Sequence, residues 1–291
     1  MTLTNSSDAI ICGAFSHQIL PYKHVEITIF STAILTLILT IFIIAVNGCF
    51  IGLLIVKAEV RKSVNILYVM LSTSDLIYGL IVLATTSVSV TGDLNDFCRR
   101  RSFLAVLKYI LCSMSLSAVL IITIEIYLAV RCPFKHRARK EKNVLPFLLL
   151  AVWVLCVTVP VLATYMKNWW RKYLLVFPFY SVVVFTMIVI SQRKAHCAIR
   201  SSVKLRGGQK HSLKTAILLL TCYAVSFLPL IVSNFLLIFS VNDLFVNSYL
   251  TPWTCFIGTF NPLFNGLIYS LRLKTVKVYF QRALGTSSSQ A

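Results

Sequence analysis

Seven long apolar runs follow one another along the chain, separated by short polar segments. They cover about Ile27–Val56, Val64–Gly92, Ser102–Val130, Val144–Met166, Tyr173–Gln192, Thr215–Asn242 and Leu244–Leu271. Each is close to or above the ~20 residues that one helical bilayer crossing needs. Only three charged residues interrupt them, Asp75, Lys108 and Glu125. A helix satisfies its own backbone hydrogen bonds in lipid, whereas a barrel needs short alternating strands, and these runs are too long and too uniformly apolar for that. The pattern predicts an all-α membrane protein, a seven-transmembrane helix bundle. Residues 1–26 form an N-terminal tail, residues 27–271 the bundle, and residues 272–291 a C-terminal segment. That segment opens with Leu273, Val276, Phe280 and Leu284 on one helical face and basic residues largely elsewhere. This is the signature of a short amphipathic eighth helix lying on the bilayer surface.

Polar residues inside the runs carry the first functional information. Asn261, Asn265 and Tyr269 fall four apart and stack on one face of the seventh run. Pro262 and Gly266 form a second row beside them, where both are expected to loosen the helix. Asn47 lies in the first run, Asp75 in the second and Ser115 in the third. A carboxylate at bilayer depth must be neutralised, paired or cation-bound. Several neutral oxygens around one aspartate suit a hydrated monovalent cation or a proton. For any one Asn or Ser alone, helix-to-helix glue is an equally physical role; the set as a whole points to a wet interior.

Charge then orients the bundle. The first, third and fifth connections and the C-terminal segment carry 20 of the 28 lysines and arginines. The positive-inside rule therefore puts the C-terminus in the cytoplasm and the N-terminus outside, as in a multi-pass plasma-membrane protein. Asn5-Ser6-Ser7 is a glycosylation sequon on the outer side, which agrees with that orientation. Met1–Gln18 lacks the basic start and apolar run of a cleavable signal peptide. Hydrophobic residues make up 58% of the chain, and the formal charge of +19 sits in loops between apolar runs, so the lipid bilayer is the expected partner and nucleic acid is not. Nine cysteines show no metal-site spacing. All five histidines, His17, His24, His136, His196 and His211, lie outside the apolar runs, which argues against an enzyme.

The ordered set Asn47; Leu71-x-x-x-Asp75; Glu125-Ile-Tyr127; Trp153 with Pro160; Pro178; Tyr223-x-x-x-Phe227-x-Pro229; and Asn265-Gly-Leu-Ile-Tyr269 resembles the rhodopsin-like (class A) G-protein-coupled receptors over nearly the whole chain. The resemblance implies a receptor that binds an extracellular ligand and signals to a heterotrimeric G protein, with arrestin as a further partner. It implies that Asp75, Ser115, Asn261 and Asn265 form a sodium pocket with Asn47 beside it, and it implies no other cofactor. The activation switch it implies comprises Asn47, Glu125, Tyr127, Tyr223, Phe227, Pro229 and Tyr269, with Pro229 as the kink of the sixth helix.

The chain also departs from that pattern. Glu125-Ile126-Tyr127 stands where the family has Asp-Arg-Tyr, so the arginine that contacts the G protein is missing, and Gln209 offers no carboxylate to pair with one. Gly266 replaces the proline of Asn-Pro-x-x-Tyr, and Thr186 stands where the fifth helix usually carries a tyrosine. Cys98 has no partner cysteine in Ala163–Lys172; it either pairs with Cys12 or stays free and buried. A missing bridge and a short second outer loop are similar to the melanocortin, lipid and cannabinoid group.

On the ligand side the resemblance selects Lys108, Tyr109, Cys112, Phe227 and Cys255. Lys108, Cys112, Ser115, Val119, Ile122 and Ile126 recur at helical spacing, so all share the inward face if Ser115 does. Lys108 either pairs with an anionic ligand group, or snorkels outward or pairs with Glu26 or Asp93. A lysine there excludes amine ligands by analogy, and Thr259, in the place of the retinal-binding lysine of opsins, argues against a photopigment. Two alternatives stay open. One is an atypical, decoy or arrestin-biased receptor with weak G-protein coupling, motivated by Ile126. The other is a transporter or channel using Asp75 and Lys108, which would show repeated halves.

Overall fold

The computed structural model describes residues 23–56, 66–91, 94–132, 144–163, 169–201, 207–239 and 245–272. Asn5, Cys12, the side chains of Cys98, Lys108 and Gln209, and the amphipathic helix expected beyond Arg272 lie outside the described residues. Helices account for almost all that is described, with no strand among the described residues. They are α1 (Lys23–Val56), α2 (Ile66–Thr91), α3 (Leu94–Arg131), α4 (Val144–Ala163), α5 (Trp169–Ser201) and α6 (Gly207–Ile238). The seventh span is built in three pieces: a π-helical turn, Val246–Leu250, then α7 (Thr251–Gly258) and α8 (Phe260–Arg272).

Five of these helices are long and apolar enough to cross a membrane, and α4 contributes a shorter apolar stretch, Val144–Thr158. The seventh span is broken at Thr259, which separates α7 from α8. Together they form the seven-helix bundle expected from the pattern of apolar runs. Several helices outlast their runs: α5 continues through Arg193 and Lys194 to Ser201, and α6 starts eight residues before Thr215. A helix needs lipid only along its apolar stretch; beyond it, water satisfies the side chains and the backbone ladder simply continues.

The third helix is the axis of the bundle. In its apolar stretch 67% of the residues are buried, against 22% in α1. It packs on α2, α4, α5 and α6, while α8 packs on α1, α2 and α6. Leu116, Ile122, Leu219, Tyr223 and Phe227 are fully buried around this axis, whereas Phe30, Ile38, Ile41 and Phe42 of α1 face outward. Such an apolar exterior is what a lipid-facing surface requires. The fourth helix is fastened to the axis by Trp153, whose indole Nε1 donates to the carbonyl of Met114 at 3.0 Å.

Candidate functional site

The inward rows of α2, α3 and α8 meet in a buried polar cluster. Asp75 is 1% exposed, Ser115 3%, Asn261 1% and Asn265 fully buried. The amide Nδ2 of Asn265 donates to Asp75 Oδ2 at 2.9 Å and approaches Ser115 Oγ at 3.3 Å. One turn earlier, Asn261 Nδ2 donates to the same Ser115 Oγ at 3.4 Å. Residues 40 to 190 positions apart in the chain are thus gathered by three helices around one carboxylate. Their four-residue spacing on α8 makes this possible, because it puts both asparagines on the same side of the helix.

Asn47 closes the cluster from α1. Its Nδ2 donates to the carbonyls of Ile43 (3.1 Å) and Pro262 (3.2 Å), and Ser72 Oγ donates to its Oδ1 at 2.9 Å. Every hydrogen-bonding capacity of the amide N–H groups is used, which ties α1, α2 and α8 at one level. Beside this knot sits Gly266. A Cβ built there would lie 2.8 Å from Val46 Cγ1 and 3.0 Å from Asn47 Oδ1. The expectation that Gly266 loosens the helix is therefore corrected: it lies inside the unbroken α8, and its missing side chain admits α1 at close range. Only at Pro262 does the expectation describe the outcome, since the break at Thr259 lies within a turn above it.

Below the cluster, Tyr269 is fully buried, its ring 5.0 Å from that of Tyr68 and 6.0 Å from that of Phe50. Its hydroxyl has no hydrogen-bond partner. Glu125 and Tyr127, near the C-terminal end of α3, are half-buried, whereas Ile126 is buried. Thr186 is exposed and turns its hydroxyl to the carbonyl of Val182 at 2.8 Å. It is not oriented toward the interior that a tyrosine at this position would reach.

Above the cluster, Cys112, Ser115, Val119, Ile122 and Ile126 are all buried, so the face of α3 inferred from spacing is the inward one over the described positions. Tyr109 is half-buried, its ring lies tilted against that of Phe177 at 4.6 Å, and its hydroxyl reaches Asn234 Oδ1 at 3.4 Å. Phe227 is buried and stacks at 4.7 Å on Tyr223, which in turn stacks on Phe185 at 6.0 Å. Pro229 lies inside α6, two residues beyond Phe227. Cys255, by contrast, is exposed.

The structure also shows polar residues that sequence spacing did not single out. Asn234 is 1% exposed with its Nδ2 unpartnered, and Tyr78 of α2 bonds to Thr259 of the seventh span at 3.3 Å. Nothing in the sequence pairs positions so far apart; only the register between helices does.

The comparisons with known proteins fit this geometry. Residues 46–173 match the family of seven-transmembrane receptors of the rhodopsin type, a stretch running from the second half of α1 to the start of α5. No curated protein matches the chain. In the matched stretch, less than half of its length, the chain is similar to the rhodopsin-type seven-transmembrane receptors, which are multi-pass membrane receptors and not enzymes.

Proposed function

We propose that this chain is a plasma-membrane receptor that binds an extracellular ligand and passes the signal inward by rearranging its helices. The observation that carries this reading is the Asp75–Asn265–Ser115–Asn261 cluster, where one buried carboxylate is shared between α2, α3 and α8. A ligand shifts such a bundle only if it binds two helix arrangements with different affinity. A polar knot inside an apolar core supplies two discrete arrangements, because its bonds are either made or broken. The partner on the inner side would be a heterotrimeric G protein.

The same residues fit a sodium ion. Asn261 Oδ1 and Asn265 Oδ1 are buried and accept no hydrogen bond, next to a carboxylate and a serine hydroxyl. Asp75, Ser115, Asn261 and Asn265 would hold the ion, and it would neutralise the buried charge in the resting arrangement. An anionic ligand group facing Lys108, and membership of the melanocortin, lipid and cannabinoid group, are finer readings that rest on the sequence resemblance alone.

A ligand screen in cells with a pathway-neutral readout tests the proposal, with Asp75→Asn as control. An agonist whose response is altered by Asp75→Asn supports it; binding that is indifferent to the substitution sinks it. A second reading, weak G-protein coupling with arrestin as the main partner, is favoured by buried Ile126 and outward Thr186. In a G-protein activation assay, Ile126→Arg should then raise coupling severalfold. Equal coupling by the two forms removes the second reading.

A further inference from the structure

Where α5 leaves the bilayer and α6 enters it, the exposed side of each helix changes from apolar to cationic within about one turn. On α5, Val183, Met187 and Ile190 are exposed and recur at i+4 and i+3, so they form one row facing lipid. Arg193 and Lys194 follow three and four residues after Ile190 and are exposed as well. On α6 the order is reversed, because the chain now runs the other way. Exposed Lys214 comes first, and Ile217 and Leu218, three and four residues on, are exposed after it. That row continues through Val225, Leu228 and Val232.

The opposite sides of the same turns are closed. Ile188, Gln192 and Ala195 of α5 are buried, as are Thr215 and Leu219 of α6, and the two helices pack on each other. The three cations therefore stand on a packed pair of helices and not on a loop. Nothing on that pair cancels them, since neither Trp169–Ser201 nor Gly207–Ile238 contains an aspartate or a glutamate.

An apolar row that ends in cations is complementary to a lipid whose tails end in an anion. The Arg193 guanidinium presents a fork that matches two anionic oxygens, and its bonds to them are charge-assisted. Long Lys and Arg stems let the charged heads sit at headgroup level while their carbons cover apolar surface. We infer that this face of α5 and α6 holds an anionic phospholipid of the leaflet in which α5 ends, with Arg193, Lys194 and Lys214 around the headgroup and the acyl chains along the apolar rows. Phosphatidylcholine brings an ammonium group that the three cations repel, so phosphatidylserine is favoured over it. The site needs only the bundle in a bilayer and stands whether or not the receptor reading does.

Titration of the full chain in detergent with each lipid, read by native mass spectrometry, tests this. Phosphatidylserine should be retained as a tight adduct and phosphatidylcholine should not. Replacing the three cations together (Arg193→Gln, Lys194→Gln, Lys214→Gln) should weaken that adduct about a hundredfold. If this variant does not fold, Arg193→Gln with Lys194→Gln decides, at about thirtyfold. Arg131→Gln removes an exposed cation at the end of α3 and should leave the adduct unchanged. Soluble glycerophosphoserine, the headgroup without its chains, should not displace the lipid at equal concentration. Four results overturn the inference: equal retention of the two lipids, a folded cation variant that keeps phosphatidylserine, a loss with Arg131→Gln as large as with the cation variant, or displacement by the bare headgroup. A cation variant that keeps the lipid but binds a purified G protein more weakly would assign the face to a protein partner instead.

Discussion

At the scale of single residues, Gly266 sets how near α1 and the seventh span can come. A methyl group there would sit 2.8 Å from Val46 Cγ1 and about as close to both ends of the Asn47 amide, and two of those three atoms belong to a side chain held by three hydrogen bonds. Asn47 cannot step aside without breaking them. Gly266→Ala should therefore destabilise the bundle by roughly 1–3 kcal/mol, the usual range for overpacking a tight core. Thermal unfolding in detergent should show it as a lowered midpoint. Gly79→Ala should cost less, because its methyl would meet isoleucine side chains that hold no hydrogen bonds, Ile44 Cγ1 at 3.0 Å and Ile43 Cγ2 at 3.1 Å. A result in which Gly79→Ala is the more harmful of the two would contradict this ordering. The sequence displayed the spacing of Asn261, Asn265 and Tyr269 plainly, because four-residue periodicity is a property of one helix. It did not display the role of Gly266, because that depends on what α1 places opposite, and register between helices leaves no mark along the chain. The orientation of Thr186 was hidden for the same reason.

At the scale of elements, the apolar runs announced every helix but not where each ends or bends. Lipid demands apolar side chains, so the runs mark the membrane-facing portion; the watery extensions of α5 and α6 follow helix propensity and loop length instead. The break in the seventh span follows from Pro262, and the sequence does contain it. Its place one turn outward is a property of the carbonyl that proline leaves unbonded. The fourth helix offers a test of how elements are held. It packs mainly on the axis, and its indole bond to the Met114 carbonyl is a polar tether in that contact. Trp153→Phe keeps most of the packing and deletes the donor, leaving the carbonyl to its helical bond and the Ser117 hydroxyl, which donates to it at 2.7 Å. Stability should fall by about 0.5–1.5 kcal/mol, the net worth of one such bond. Hydrogen exchange should rise first in α4 and leave α2 and α8 at their original protection. Uniform loss of protection across the bundle would mean that the tether is not local.

At the scale of the whole molecule, an interior of apolar side chains and small uncharged polar ones carries, among the described residues, one buried carboxylate, met by amides and a hydroxyl but by no cationic side chain in any bond described. Hydrogen bonds from neutral groups do not cancel a charge in a medium of low polarity, so the folded bundle gains from anything that does. A cation that binds the folded arrangement and not the unfolded one raises stability by mass action, by about 2.7 kcal/mol when its concentration is a hundredfold above its dissociation constant. Sodium should therefore raise the unfolding midpoint of the purified protein over choline at equal ionic strength. Asp75→Asn removes the charge and keeps the shape. It should abolish the sodium increment while leaving the midpoint in choline equal to or above that of the original chain, since an uncompensated charge is then no longer buried. Asn261→Ala, which deletes one of the two amide oxygens left without a partner, should shrink the increment without abolishing it. Should sodium stabilise the original chain and Asp75→Asn alike, the ion acts on the surface or the lipid. The polar centre would then be a fixed structural knot, and the two arrangements that signalling requires would have to be sought elsewhere in the bundle.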